Sequence, residues 1–231
     1  MPHTTITAKD GGSFQAYVAM PAKTPAPALV VIQEIFGVNQ VMRDLTDSFA
    51  AMGYLAICPD VFWRIEPGID ITDRTEAEWQ KAFELLGKFD VDTGVQDLIA
   101  SLDHARGTKE CTGKAGSVGY CLGGRLAYLM ATRSDAQANV SYYGVGLDGL
   151  MAEAGGISAP FLAHVAEKDG FVPPEAQAKF VPVLEAHPKA AVHIYQGQDH
   201  AFARVGGKHY DKVSADLANQ RTRDFLARHL G

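Results

Sequence analysis

Three cysteines stand in 231 residues, Cys58, Cys111 and Cys121, too few to staple a fold. An odd number cannot all pair, and their spacing matches no metal-ligand pattern. A disulfide framework and a zinc cluster are therefore set aside, and a reducing, cytoplasmic setting is expected. No run of about 18 apolar residues occurs, so no membrane-spanning helix is expected. The segment Met1 to Gly12 lacks a basic stretch leading into an apolar one, so export and a membrane partner are not expected. Lys and Arg number 21 against 27 acids and are scattered along the chain, which argues against a nucleic-acid partner. No Ser/Pro-rich linker, charge block, internal repeat or low-complexity stretch divides the sequence. With 47% hydrophobic and 21% charged residues, the chain is expected to form one domain over residues 1–231 and to work as a monomer.

What is present is an alternation of strands and amphipathic helices. Phe14 to Ala19 reads as an early edge strand, Ala28 to Ile32 and Tyr54 to Cys58 as buried strands. Further strands are expected at Lys114–Val118, Asn139–Tyr143, Phe161–Ala166 and Val192–Tyr195. Between the second and third strands Val41, Leu45, Phe49 and Met52 recur at helical spacing. Glu76–Leu86 and Val91–Arg106 read as two helices interrupted near Gly87, and Arg125–Thr132, Pro174–Glu185 and Asp211–Arg228 as three more. Continuous apolar strands alternating with helices predict an α/β fold, a mostly parallel central sheet with helices on both faces. Cys58 is expected in the core, Cys111 in a polar turn, His164 and His193 as core histidines, and Arg125 on a solvated helix face.

The most informative stretch is Gly119-Tyr120-Cys121-Leu122-Gly123-Gly124. An apolar strand enters it and a helix leaves it, the context of a nucleophile elbow with cysteine where serine is usual. A thiol at a helix N-terminus ionises more readily than a free one, because backbone N–H groups and the helix dipole favour an anion. Taken alone, a buried structural cysteine competes well with this reading. Two later segments tip the balance. The Phe161–Ala166 strand runs into Glu167-Lys168-Asp169-Gly170, and the Val192–Tyr195 strand is followed by Gly197-Gln198-Asp199-His200. Nucleophile, acid and histidine thus occur in the order this architecture uses, each on a loop after a strand and about one βα unit apart. Cys121, Asp169 and His200 are the candidate triad.

Together with Gln33-Glu34-Ile35-Phe36-Gly37, Cys58-Pro59-Asp60, Tyr142-Tyr143-Gly144-Val145-Gly146, Asp169-Gly170-Phe171-Val172-Pro173 and His200-Ala201-Phe202-Ala203-Arg204, these residues resemble the dienelactone hydrolases, a branch of the α/β-hydrolase superfamily. The resemblance covers nearly the whole chain. It implies the α/β-hydrolase fold and hydrolysis of an enol lactone, as in the breakdown of chlorinated catechols, with no metal or organic cofactor. It also implies a triad of Cys121, Asp169 and His200, a neighbouring carboxylate at Glu34, oxyanion-hole amides at Leu122 and Ile35, and an arginine for a substrate carboxylate at Arg204. Two departures stand out. A second carboxylate-binding arginine is familiar in the family where this chain has Trp79, and a hydroxyl residue is familiar where it has Ala201.

Glu34 invites two readings, a solvated loop carboxylate or a group that keeps the resting thiol neutral by like-charge repulsion and takes its proton when substrate binds. Phe36, Trp79, Tyr142 and Tyr143 are candidate pocket-lining residues, with core packing an equal alternative. Two further readings keep the scaffold and change the role: a hydrolase of another activated xenobiotic or prodrug ester, and a non-catalytic thiol sensor built on Cys121.

Overall fold

Ala28, Leu29, Val30, Val31 and Ile32 are wholly excluded from solvent, so both faces of their strand are covered and the run need not alternate with polar residues. The computed structural model describes residues 3–231. Its strands are β1 (His3–Thr7), β2 (Ser13–Ala19), β3 (Ala26–Ile32), β4 (Leu55–Pro59), β5 (Cys111–Tyr120), β6 (Asn139–Tyr142), β7 (Phe161–Ala166) and β8 (Ala190–Tyr195). Its helices are α1 (Gln40–Ala51), α2 (Glu76–Lys88), α3 (Val91–Arg106), α4 (Leu122–Arg133), α5 (Pro174–Glu185) and α6 (Lys212–Leu230). The strands are hydrogen-bonded in the order β1-β2-β4-β3-β5-β6-β7-β8. The β3/β4, β5/β6, β6/β7 and β7/β8 pairs are parallel, while β1/β2 and β2/β4 are antiparallel. This is the mostly parallel α/β sheet that the alternation of elements predicts. Among the described residues no helix is long and apolar enough to cross a membrane.

The chain forms two compact units, the first closing at Gly116 and the second running from Ser117 to Gly231. In the first, α1 packs on β2, β3 and β4, and α3 on β1, β3 and β4. The loop after β4 is anchored by Asp97 of α3, a buried carboxylate that accepts from Trp63 Nε1 and pairs with Arg64, each at 2.8 Å. Phe14–Ala19 is not an edge strand, because β1 pairs outside it. The sequence hides β1, since His3-Thr4-Thr5-Ile6-Thr7 turns only Ile6 fully inward. The break between α2 and α3 falls at Phe89–Asp90 rather than at Gly87. Asp90 caps α3 there, its Oδ1 accepting from Thr93 N at 2.7 Å. Cys111 opens β5 instead of sitting in a turn, and Cys58 is fully buried as expected.

In the second unit α4 packs on β6, α5 on β8 and α6 on β7. A polar network crosses its core. His164, in the middle of β7, bonds Tyr195 through Nδ1 at 2.8 Å and Thr222 of α6 through Nε2 at 2.9 Å. The Tyr142 hydroxyl joins it, 2.6 Å from Thr222 Oγ1 and donating to Asn219 at 3.0 Å. Burial first, then the nearby His193 and Arg221, hold His164 well below the usual imidazole range, so it stays neutral in the folded protein. This is the satisfied core histidine expected of a mid-strand position, while His193 is only half-buried.

The unfolded chain frees His164 to take a proton near its ordinary value of 6.5, whereas the folded chain resists it. Its stabilising share is therefore complete above that value and is lost as pH falls, by up to about 1.4 kcal/mol per pH unit. Urea denaturation at pH 7.5 and 5.5 is expected to show lower stability in acid. The difference should shrink in His164→Gln, and an unchanged difference would remove His164 as the cause.

Candidate active site

The elbow is built by backbone crowding. Cys121 follows the last residue of β5, its N–H donates to Tyr142 O at 3.1 Å, and Leu122 begins α4 directly. The reversal places Cys121 at φ 56° and ψ −115°, a strained conformation for a residue with a Cβ. Glycine is obligatory on both sides. A Cβ on Gly119 would overlap the Gly123 carbonyl, and one on Gly124 would stand 2.6 Å from Tyr142 O and 2.8 Å from Gly144 Cα. The helix can lie this close to the strands only without those side chains. Leu122 and Gly123 open the first turn of α4, and the positive end of the helix dipole lies at the thiol.

Asp169 lies on the turn after β7, and His200 on the loop between β8 and α6. His200 Nδ1 is 2.8 Å from Asp169 Oδ2 and 3.0 Å from Oδ1. Phe171 N donates to the same Oδ1 at 2.9 Å, so the carboxylate is held as well as holding. The imidazole also hydrogen-bonds the Cys121 side chain. The structure thus brings together the three residues singled out by order and spacing. All three are at least nine-tenths buried.

Burial disfavours the His200 cation, yet attraction to a Cys121 thiolate, then the bonds to Asp169 and to Cys121, outweigh it and push the group up to about 10. The imidazolium is therefore the favoured form of His200 at neutral pH, and its positive charge faces the Cys121 sulfur. Tyr143 lies edge-on to the His200 ring with centroids 5.1 Å apart, and Phe171 does so at 4.8 Å. Phe171 is 51% exposed, an aromatic wall open to solvent beside the histidine.

The expectation for Tyr142 is corrected. It is fully buried and its hydroxyl is engaged by α6, while Tyr143 meets His200. Tyr142 is the last residue of β6, while Tyr143 lies in a bend with φ 38°, so the two rings leave the chain in different directions. Arg125 is likewise not a solvated residue. It is half-buried, its guanidinium folded against Gly146. Arg204 is half-buried on the His200 loop, its N–H bonded to Ala201 O at 2.9 Å. Ala201 takes φ 61°, which sets the turn just after the histidine. The sequence reading weighed Tyr143 together with Tyr142 but missed Phe171 and Asp199, whose only signal is closeness in sequence to Asp169 and His200.

In the first unit Glu34, Ile35 and Phe36 follow β3 and are nearly excluded from solvent, at 3%, 4% and 3% exposure. The solvated reading of Glu34 is thereby removed. Phe36 meets Trp79 edge-on at 5.0 Å, and Trp79 stacks on Phe83 at 5.6 Å. Trp79 Nε1 donates to Asp73 O at 2.9 Å. Of the upstream arginines, Arg64 is tied to Asp97 and Asp10 and Arg74 is exposed. Among the described residues no group of three or more His, Cys, Asp or Glu could hold a metal ion.

The model of the dienelactone hydrolase family matches residues 14–230. The chain belongs to the dienelactone hydrolase family. A carboxymethylenebutenolidase of Pseudomonas putida is 40% identical over 96% of this chain and 94% of its own. A protein of Azospirillum brasilense provisionally given the same name is 55% identical over 100% of both chains. A crystal structure provisionally titled a dienelactone hydrolase, from Klebsiella pneumoniae, superposes with a TM-score of 0.86 at 28% identity, covering 99% of this chain and 98% of its own. Family membership makes the chain a hydrolase on the α/β-hydrolase fold.

For this dienelactone hydrolase family member the coupled pair has a measurable signature. Alkylation of Cys121 by iodoacetamide is expected to vary little between pH 7 and 9, about the range over which His200 stays protonated. In His200→Ala the rate should rise with pH as an ordinary thiol's does, with about a tenfold deficit at pH 7. Identical profiles in the two proteins would show that the histidine does not hold the thiolate.

Proposed function

We propose that the protein hydrolyses an enol lactone, or a closely related activated ester, through a thioester on Cys121. The observation that carries this reading is the continuous hydrogen-bonded series Cys121–His200–Asp169 at a strained elbow. Family membership and the name of the Pseudomonas putida relative support the lactone class.

The Cys121 thiolate attacks the ester carbonyl, forming a C–S bond, and the carbonyl oxygen becomes an oxyanion. The free N–H of Leu122 at the start of α4 stabilises it, with Ile35 N–H as the second donor by the family resemblance. The C–O bond then breaks, and the enolate leaving group takes the proton of the His200 imidazolium, which leaves the ring neutral, and then ketonises. Neutral His200 next removes a proton from water, whose oxygen attacks the thioester. The C–S bond breaks and returns thiolate and imidazolium. Asp169 keeps Nδ1 protonated and the ring oriented throughout.

Sulfur selects the substrate. A tetrahedral adduct expels its better leaving group, and a thiolate leaves more readily than an alkoxide, so plain alkyl esters collapse backwards. An enolate leaves readily, and its ketonisation draws the reaction forward. The resemblance implies a carboxylate, Glu34, beside the nucleophile, and such a charge would oppose thiolate formation.

Cys121→Ala is expected to keep the fold and lose turnover on dienelactone, and mass spectrometry of quenched wild-type protein should find an acyl adduct on the Cys121 peptide. Turnover by the alanine variant would remove Cys121 as nucleophile. Stoichiometric modification without turnover in the wild type would favour the sensor reading, and turnover of p-nitrophenyl acetate but not dienelactone the broader esterase reading.

Arg204 is assigned to the substrate carboxylate, which a guanidinium grips with two charge-assisted bonds. Arg204→Met keeps an apolar stem and removes the charge, so kcat/KM for a carboxylate-bearing lactone should fall about tenfold or more, equivalent to roughly 1.5–3 kcal/mol. The neutral methyl ester should lose much less. Equal losses would reduce Arg204 to a support for its loop.

A further inference from the structure

The loops carrying the acid and the histidine run side by side after β7 and β8, and hydrogen bonds lace them at their base. Glu167 N donates to Tyr195 O at 3.1 Å, Gly197 N to Glu167 Oε2 at 2.7 Å, and Lys168 N to Gln198 O at 2.7 Å. One step beyond this lacing stands Asp199. Its Oδ1 accepts two backbone donors, Gly170 N at 3.0 Å and His200 N at 2.7 Å. Gly170 is the residue after Asp169, and His200 is the residue after Asp199. A single carboxylate oxygen therefore joins the peptide on the far side of the triad acid to the peptide that carries the triad histidine.

We propose that Asp199 is a positioning residue for the triad, setting the spacing and angle between Asp169 and His200 without touching substrate. The inference rests on the Cys121–His200–Asp169 reading above. A carboxylate suits the task because each bond is charge-assisted, and one oxygen can accept from two donors arriving from different loops. The other oxygen, Oδ2, lies 2.9 Å from His209 Nδ1. Oδ1 at His200 and Oδ2 at His209 thus clasp the two ends of the segment that carries Arg204. Asp199 itself is 39% exposed at its side chain, so it serves as an outer strut behind the buried triad.

The consequence is geometric. Without Asp199 the Glu167 and Lys168 bonds still hold the loop bases together. The last residue of each loop gains freedom, and the catalytic pair depends on that residue. Loss of about an ångström of alignment costs up to about a hundredfold in rate.

Asp199→Ala and Asp199→Asn would be compared with the wild type and with Cys121→Ala. Measurements are kcat and KM on dienelactone, the pH profile of Cys121 alkylation, and the downfield proton resonance of the His200–Asp169 bond. The alanine variant is expected to lose about ten- to a hundredfold in kcat with KM within about twofold. Its alkylation profile should shift towards that of His200→Ala and the downfield resonance should weaken. Asparagine keeps an acceptor oxygen and should retain kcat within about fivefold, with the resonance present. Should the alanine variant fail to fold, the asparagine variant decides: its resonance at the wild-type position supports the assignment, and a resonance lost as completely as in His200→Ala overturns it. A folded alanine variant with wild-type kcat, pH profile and resonance also overturns it, as does a lower thermal midpoint with none of the three changed. Turnover by Cys121→Ala would mark failure of the underlying triad reading instead.

Discussion

A cysteine at φ 56° between a strand end and a helix start is the constraint on which the site depends. The conformation costs of order 1–3 kcal/mol and persists because its surroundings leave no alternative. The Cys121 carbonyl accepts from Gly124 N at 3.0 Å and Arg125 N at 3.2 Å, and its N–H is bound to Tyr142 O. Gly119 and Gly124 let the helix approach until no side chain would fit. Relaxing Cys121 would require β5, β6 and α4 to move together. The thiol is thereby held at the positive end of a helix, in a place the rest of the site can be built around.

The second dependence is electrostatic. A buried imidazolium is costly alone, and His200 is stable as one because Cys121 and Asp169 face it from two sides. Asp169 in turn accepts from the peptide of Phe171. Tyr143 stands between this charged series and the neutral one formed by His164, Tyr195, Thr222 and Tyr142, its ring centroid 5.1 Å from that of His200 and 6.0 Å from that of Tyr142. The two differ in what each histidine meets. His164 meets hydroxyls and stays neutral; His200 meets an acid and a thiol and takes a charge. The same residue type is thus held neutral in one case and charged in the other.

Much of this was legible in the chain. Buried strands announce themselves as unbroken apolar runs, and β3 and β7 are read directly from Ala28 to Ile32 and Phe161 to Ala166. The glycines around Cys121 mark a backbone that admits no side chain, and the loops after β7 and β8 each end in a residue type suited to a triad. β1 was invisible because an edge strand with one inward side chain has no apolar pattern to show. The break between α2 and α3 was misplaced because glycine is tolerated in a last helical turn, whereas Asp90 is a cap by virtue of its bond to Thr93.

By itself the sequence determined the order of the buried elements, the elbow and the three residues gathered at it, because these rest on local propensity, steric demand at glycine and position relative to strands. Only the tertiary structure decided which tyrosine meets His200, that Glu34 is buried, that Arg125 folds against Gly146, and that Asp199 spans the two catalytic loops. Those facts depend on which face of a strand or loop lies against residues distant in sequence. No local pattern encodes that choice: it is made when the two loops are brought within hydrogen-bonding distance by the pairing of β7 with β8.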